Sequence, residues 1–373
     1  MVQKHTASQI IRKEREEKAM KKIRAMMAGV EDQIERLASP EIEMPLRGSA
    51  NAVFDEKKRA IVLGDKTTKR RFLNTAHTRK FAQTMLVAEA AYKELLKKGK
   101  TGTIRDLYYS ILREIPGTKL NTVDNQDESN AVSVDLEVTL NLLREDLNLK
   151  AEKNGAVAGN CVIEDTEDTI DLSKMGSGGW AIPSMTEDII IKKMDAKFVL
   201  YVEKAAIWER LNEDKVWKKL NCILLATQGQ GTRGARVLLR RFSEEHNLPV
   251  YIFTDCDPWG WYIYSTIKYG SMALAHATHA LGVPKAHFVG MTMQDIEDYK
   301  LEKQTFRLKP VDIKRALELQ KYKWFQSKGW QKEIKTMLEK NQRAELQALS
   351  KYGVEFISEK YIPEKLEEGK FLE

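Results

Sequence analysis

The sequence predicts two folded parts, a mostly helical N-terminal part and an α/β part, so that the overall class is α/β combined with α+β. Two observations predict this division. Before residue 150 apolar residues recur at helical spacing within charged segments, whereas after residue 190 short apolar runs alternate with amphipathic helices. Such alternation is typical of a mainly parallel sheet with both faces covered.

The chain opens with a predicted helical arm over residues 9–38. Apolar residues recur there at roughly helical spacing among dense charges, until Pro40 and Pro45 break the pattern. The arm either packs on its own domain or docks a partner.

Three further helices are predicted, over residues 79–98, 104–115 and 130–147, and Thr103 is the expected N-cap of the second. The segment 147–165 then has the pattern of a β-hairpin around an Asn-Gly turn. Three helices followed by a hairpin is the order of a winged helix, a DNA-binding variant of the helix-turn-helix.

The second part alternates strictly between strand and helix. Its predicted strands are KFVLYVE, CILLAT, VYIFTD and HFVGM, and residues 310–350 are helical and net basic. We therefore expect an N-terminal arm with a basic segment over 1–68, a winged-helix domain over 69–165, a glycine-rich linker over 166–190, and an α/β domain with a C-terminal helical extension over 191–373.

Composition excludes several classes of protein. The chain has 373 residues, of which 42% are hydrophobic and 31% charged, which is typical of a folded globular protein. No apolar run approaches the length that crosses a bilayer, and the N-terminus lacks the apolar core of a signal peptide. The three cysteines show no metal-binding or disulfide spacing. These features predict a cytoplasmic location with no membrane contact.

The net charge of +7 conceals one lopsided segment. Residues 57–80 carry nine Lys or Arg side chains and one Asp. Such a segment is either a solvated face or a contact with a phosphate backbone. The candidate DNA-binding residues are Lys69, Arg70, Arg71, Arg79 and Lys80.

A glycine-rich loop, GQGTRG at residues 229–234, follows a predicted strand and opens a helix. This form matches a dinucleotide-binding fingerprint, which makes a dinucleotide-dependent enzyme one alternative. Arg233 and Arg236 crowd the turn, however, and the next strand ends in two acids where a ribose needs one.

Three acidic residues follow predicted strands. Glu203 ends KFVLYVE, and Asp255 and Asp257 lie at the end of VYIFTD. If those strands are neighbours, the three carboxylates converge at the carboxyl edge of the sheet, where they suit Mg²⁺. Taken singly, Glu203 also suits a helix N-terminus, and the Asp pair also suits a turn.

A pair of tyrosines lies on the second predicted helix of the winged-helix region. Neighbouring positions on a helix point about 100° apart, so Tyr108 and Tyr109 do not both face the core. The exposed tyrosine is a candidate nucleophile, and Arg105 lies one turn before Tyr109 on the same helical face.

These motifs coincide in one family. TIRDLYYS, VEKAAIWERL, QGQGTRGAR and DCDPWG, in this order from about residue 70 onward, resemble the A subunits of archaeal type IIB DNA topoisomerases and the related meiotic double-strand-break proteins. The resemblance implies a winged helix with Tyr109 as nucleophile and a Toprim domain with Glu203, Asp255 and Asp257 as Mg²⁺ ligands. It also makes the glycine loop a Toprim element.

The resemblance further implies a mechanism and an assembly. Tyr109 forms a 5′-phosphotyrosyl bond, Arg105 positions the phosphate, and Glu203 is a metal ligand, a general acid/base, or both. A homodimer cuts double-stranded DNA, passes a second duplex and reseals the break, with ATP bound by a separate B subunit in an A2B2 heterotetramer at the nucleoid. Residues 1–38 then become the docking arm. The alternatives are a break-forming protein without strand passage and a non-catalytic DNA-binding protein.

Overall fold

The computed structural model describes residues 7–227 and 229–372, which form two compact units. The first, called here the helical unit, comprises the described residues through Val53 together with Val62–Glu152 and Met272–Ala277. The second, called the sheet unit, comprises Phe54–Ile61, Lys153–Ser271 and the described residues from Thr278 onward.

Four α-helices precede residue 152: α1 (Ala7–Glu35), α2 (Thr78–Ala90), α3 (Ile104–Ile111) and α4 (Gln126–Leu140). Six short strands accompany them: β1 (Glu41–Pro45), β2 (Ala52–Asp55), β3 (Ala60–Leu63), β4 (Thr67–Arg71), β5 (Gly102–Thr103) and β6 (Leu149–Lys150). A π-helical turn at Ala91–Leu96 extends α2, and Arg144–Leu147 form a 3₁₀ turn.

The predicted arm is a helix that packs on its own unit. Ala19 and Ile23 of α1 are fully buried with Leu107 and Leu136 in one apolar core. Lys22 Nζ donates to the carbonyl oxygen of Leu140, 2.7 Å away, which satisfies a carbonyl at the end of α4. One face of α1 is therefore structural, while Ile10 on the same helix is half exposed.

The sheet unit contains the remaining elements. Its strands are β7 (Ala156–Gly159), β8 (Cys161–Asp165), β9 (Asp168–Asp171), β10 (Trp180–Ala181), β11 (Ile190–Met194), β12 (Phe198–Val202), β13 (Cys222–Ala226), β14 (Val250–Phe253), β15 (Ala286–Phe288), β16 (Phe306–Arg307) and β17 (Gln342–Arg343). Its α-helices are α5 (Ala205–Glu213), α6 (Val216–Lys219), α7 (Arg233–Glu245), α8 (Pro258–Tyr269), α9 (Thr278–Leu281), α10 (Met293–Asp298), α11 (Pro310–Lys321), α12 (Lys328–Lys340) and α13 (Ile362–Glu368).

A six-stranded sheet organises this unit, in the order β10-β7-β13-β12-β14-β15. The four strands from β13 to β15 are parallel, and their facing residues, such as Leu200 and Leu224, are fully buried. This confirms the predicted mainly parallel sheet. Strands β7 and β10 extend it in the antiparallel direction.

The predicted hairpin over 147–165 is wrong. Strand β6 pairs in parallel with β5, whereas β7 joins the large sheet beside β13 and β8 pairs with β9 and β11. The segment 166–190, predicted as a linker, contains β9 and β10. Gly159 explains part of this difference, since a side chain there would approach the carbonyl oxygen of Cys222 to 2.5 Å, so only glycine lets β7 pack against β13.

No helix within the described residues is both long and apolar enough to span a membrane.

Candidate active site

The carboxylates of the sheet unit follow the ends of two neighbouring parallel strands. Strands β12 and β14 are direct neighbours with Val202 opposite Phe253, so Glu203 and Asp255 leave the sheet side by side. The backbone N–H of Asp255 donates to Glu203 Oε2 over 3.3 Å. The sequence expectation depended on these strands being adjacent, and the register provides that adjacency.

Asp255 is held from two sides. Its side chain is almost fully buried, and Oδ1 accepts a hydrogen bond from the backbone N–H of Leu346 at 2.8 Å. Lys204 Nζ lies 2.7 Å from Oδ2 and 3.0 Å from a Glu345 oxygen. Burial lowers the pKa of Lys204, but the negative charges and hydrogen bonds of Asp255 and Glu345 outweigh burial, so the pKa is raised overall.

Asp257 is positioned by the start of α8. Its Oδ1 accepts from the backbone N–H of Gly260 at 2.7 Å as the helix N-cap, and Arg343 lies 3.7 Å from Oδ2. A Cβ at position 260 would lie 2.6 Å from the carbonyl oxygen of Asp255. The glycine of DCDPWG therefore lets the helix begin directly against the acidic turn.

The electrostatics of this cluster favour a cation. Burial raises the pKa of Glu203 to about 8, and the charges of Asp255 and Asp257 add to the effect. Burial also raises the pKa of Asp257 to about 6 and raises that of Asp255, where Lys204 only partly offsets it. Hard oxygen donors that repel one another in a low-dielectric site suit a divalent cation such as Mg²⁺.

The carboxylates are engaged by protein groups rather than arranged around a common point. Within residues 7–227 and 229–372, no three or more His, Cys, Asp or Glu side chains are set around a metal position. Lys204 Nζ lies 2.7 Å from Asp255 Oδ2, where it would compete with a cation for that oxygen. An ion entering here would therefore displace the Lys204 ammonium.

The two tyrosines of the helical unit lie on α3. Thr103 caps this helix and Asp106 accepts a hydrogen bond from the Thr103 backbone N–H, so the capping box is complete. Tyr108 packs against the apolar core, whereas Tyr109 is 64% exposed. This is the division that their spacing predicts, and Arg105, one turn earlier, is also exposed.

The cations of β4 are largely paired. Lys69 Nζ and Arg71 Nε lie 2.6 and 3.1 Å from the two carboxylate oxygens of Glu41 on the neighbouring strand β1. Both side chains keep about half of their surface in solvent. Their charge is therefore partly neutralised without being covered.

The other cations of the predicted DNA-binding set differ in their ion pairs and in their exposure to solvent. Arg79 pairs with Asp124 at 2.8 Å and Glu128 at 3.1 Å, and Lys80 is exposed on α2. Arg70 pairs with Asp135, whose side chain is almost fully buried, and donates to Thr84 Oγ1 at 3.2 Å. Arg70 thus ties β4 to two helices of its unit.

We expect Arg70→Met to lower the free energy of unfolding by about 1–3 kcal/mol, since Asp135 would lose a buried partner and retain only Arg47. Urea unfolding measures this, with Lys80→Met as a control that removes one exposed charge. Unchanged stability in Arg70→Met would mean that Arg70 has no structural role.

The glycine loop opens α7. Thr232 caps this helix, and a Cβ at Gly234 would lie 2.3 Å from the carbonyl oxygen of Pro183. The buried Arg236 guanidinium donates to the carbonyl oxygens of Thr266 and Leu281. Gly234 and Arg236 are thus committed to packing at the start of α7, whereas Gln230 in the turn itself is exposed.

Three family models match the chain. The model for the Toprim domain of Spo11 and of the topoisomerase 6 A subunit matches residues 198–366, and the model for type IIB DNA topoisomerase matches residues 79–149. A third, for an all-beta domain in the DNA topoisomerase VI alpha subunit, matches residues 151–195.

Individual relatives cover nearly the whole chain. The A subunit of type 2 DNA topoisomerase 6 from Pyrococcus abyssi is 44% identical, over 95% of this chain and 96% of the relative. The proteins of the same name from Pyrococcus horikoshii and Methanocaldococcus jannaschii are 43% and 38% identical, over 95% and 88% of this chain and 96% and 89% of their own lengths.

The parallel sheet with acids at its carboxyl edge, together with the matching models, places this protein in the class of type IIB DNA topoisomerases with a Toprim domain. Within that class, the chain belongs to the family of A subunits of type 2 DNA topoisomerase 6. The resemblance inferred from the four motifs is therefore confirmed, as are the fold class and the assignment as a DNA topoisomerase subunit.

Sequence reasoning missed three residues that surround the acids. Lys204 directly follows Glu203, so its position in the chain was a usable signal. Arg343 and Glu345 come from the C-terminal extension, roughly ninety positions after the Asp pair. Nothing in their local sequence indicates that they reach this edge of the sheet.

Proposed function

We propose that this chain cleaves and rejoins double-stranded DNA through Tyr109. The phenol oxygen attacks a backbone phosphorus, the bond from phosphorus to the 3′ oxygen breaks, and a 5′-phosphotyrosyl link forms. The phenol loses its proton and the 3′ oxygen gains one, so religation is the same step reversed. The observation that carries the proposal is an exposed tyrosine on a capped helix, in a chain whose sheet unit places acids at the carboxyl edge.

Glu203, Asp255 and Asp257 are the proposed holders of Mg²⁺. When bound, the ion supplies positive charge that stabilises the phosphate and the departing oxygen. Before an ion binds, Lys204 forms an ion pair with Asp255, and binding of the ion would break that pair. The raised pKa of Glu203 also suits it to hold a proton for the 3′ oxygen, and Arg105 orients the phosphate.

The proposed assembly follows from the chemistry of a double-strand break. Two copies of the chain supply two tyrosines, one for each strand. The acids of one copy serve the tyrosine of the other. A separate B subunit binds ATP and completes an A2B2 complex, with residues 1–38 as its docking arm. The exposed face of α1 supports this role, since only its opposite face is used by the core.

The proposed division of labour assigns DNA binding and the nucleophile to the winged-helix region over 69–165, and the metal to the Toprim region over 191–373. Lys80 and the exposed heads of Lys69 and Arg71 contact DNA phosphates, while Arg70 and Arg79 hold their strand and helix in place for that contact. The complete complex relaxes supercoils and decatenates DNA.

The test is to denature a reaction of this chain with supercoiled DNA, Mg²⁺, ATP and a B subunit, and to identify the peptide linked to DNA. We expect a 5′ link on the peptide that contains Tyr109, together with relaxed product. A link without relaxation would favour a break-forming protein without strand passage. DNA binding with no covalent link would contradict the proposal.

A further inference from the structure

The basic segment noted in the sequence divides into two halves with different environments. In the half on β4 and α2, Lys69, Arg71 and Arg79 each pair with a carboxylate. At its start, within the described part of the chain, Lys57 and Arg59 form no ion pair, and Lys58 reaches Asp55 only at 3.8 Å. Within the described residues Lys66 and Lys80 form no ion pair either, so residues 57–59 stand out because three adjacent exposed cations share one ion pair of 3.8 Å.

These three residues form the turn between β2 and β3, which is held in a defined shape. Asp55 Oδ1 accepts hydrogen bonds from the backbone N–H groups of Lys57 and Lys58, at 3.0 Å each. Arg59 has a left-handed backbone with φ of +48°, a conformation that disfavours most side chains other than glycine and asparagine.

The turn forms one wall of a cleft in the sheet unit, with a volume of about 540 Å³. Lys268, Lys285 and His287 line the same cleft. Lys285 Nζ donates to Asn247 Oδ1 at 3.1 Å, and Lys268 Nζ donates to the Tyr264 hydroxyl at 3.1 Å. No carboxylate is among its lining residues in the part of the chain that the structure describes.

This cleft lies at the opposite edge of the sheet from the acids. Leu248 and Pro249 precede β14, and Pro284 and Lys285 precede β15, so the cleft faces the amino ends of these strands. Glu203 and Asp255 follow the carboxyl ends of β12 and β14. The cleft is therefore a separate site and not an extension of the acidic one.

We propose that this cleft binds the phosphate backbone of duplex DNA, as a contact on the sheet unit apart from the acidic edge. Four exposed cations around one concave surface match closely spaced phosphate charges, whereas the fifth lining cation, Lys268, is buried. Lys57, Lys58, Arg59 and Lys285 are exposed, so they reach a chain lying across the cleft rather than enclosing a small molecule. The choice of DNA rests on the proposed function.

The test compares two triple variants in a salt series of duplex-DNA binding. Lys57→Gln, Lys58→Gln and Arg59→Asn together remove the turn cations, and asparagine tolerates the left-handed backbone. The control is Lys219→Gln with Lys335→Gln and Lys360→Gln, which removes three exposed lysines of the same unit, each paired with a glutamate. We expect the slope of log K against log salt to become shallower by about 0.9 for each phosphate that is no longer neutralised, and only in the turn variant.

Equal slopes for the turn variant and the unmodified protein would overturn the proposal, as would an equal change in the control. Lys285→Gln alone should also make the slope shallower, by about the amount expected for one phosphate, which guards against misfolding of the turn variant. Inorganic phosphate and pyrophosphate are titrated in parallel. Tight binding of either, with no effect of the variants on DNA, would identify a small phosphate as the occupant and contradict the DNA assignment.

The results also distinguish failure of the cleft proposal from failure of the proposed function. A shallower slope in the turn variant, in a protein that forms no covalent link to DNA, would support the cleft and contradict the role of Tyr109. An unchanged slope in the turn variant, with the covalent link still formed, would contradict the cleft proposal and support the role of Tyr109.

Discussion

Tyr109→Phe should abolish the covalent link between this chain and DNA while leaving DNA binding intact. Phenylalanine has the same ring but no phenol oxygen, so no bond to phosphorus can form. Because Tyr109 is 64% exposed, its loss should leave the free energy of unfolding nearly unchanged. The link is measured by denaturing the reaction and resolving labelled DNA attached to protein.

Tyr108→Phe is the matched control on the same helix. Its ring packs against the core of the helical unit, and phenylalanine preserves that packing. We expect normal link formation in this variant. A 5′-linked product from Tyr109→Phe would show that another residue is the nucleophile, and loss of the link in both variants would point to disturbance of α3.

Glu203→Gln should prevent the link by a different route, through loss of the metal. Glutamine keeps an oxygen that accepts from the Asp255 backbone N–H but lacks the charge that Mg²⁺ requires. In chelator at a pH above about 8, where Glu203 is charged, the variant should unfold at the same temperature as the unmodified protein or higher, because one source of repulsion with Asp255 and Asp257 is gone. Added Mg²⁺ should then raise the unfolding temperature of the unmodified protein much more than that of the variant.

Glu209→Gln is the matched control. It makes the same chemical change at an exposed position of α5, within two helical turns of Glu203 along the chain. It should keep both the link and the full Mg²⁺-induced shift. Equal shifts in Glu203→Gln and the unmodified protein would remove Glu203 from the set of metal ligands. Its role in proton transfer would then be the remaining explanation for any loss of the link.

Local patterns predicted the regular elements well. Strand β12 falls within the predicted KFVLYVE, and the Thr103 cap forms as expected, because a short apolar run and a cap depend only on neighbouring residues. The exposure of Tyr109 also followed from helical spacing alone. The error at 147–165 has the opposite cause, since strand β7 pairs with β13 about sixty-five positions later and no local pattern specifies that partner.

The sequence by itself therefore determined the candidate catalytic residues. They are a tyrosine one helical turn after an arginine, and acids that follow strands, in the order found in one family. The sequence did not determine the environment of those acids. That environment arises when distant segments fold onto one sheet. Folding places Lys204 beside Asp255 and Arg343 near Asp257, and it places the Lys57–Arg59 turn at the amino ends of the strands, away from the acids. Charge compensation depends on distances in space, and so only the tertiary structure shows that Lys69 and Arg71 of β4 share Glu41, whereas Lys57 and Arg59 of the turn form no ion pair with the described residues.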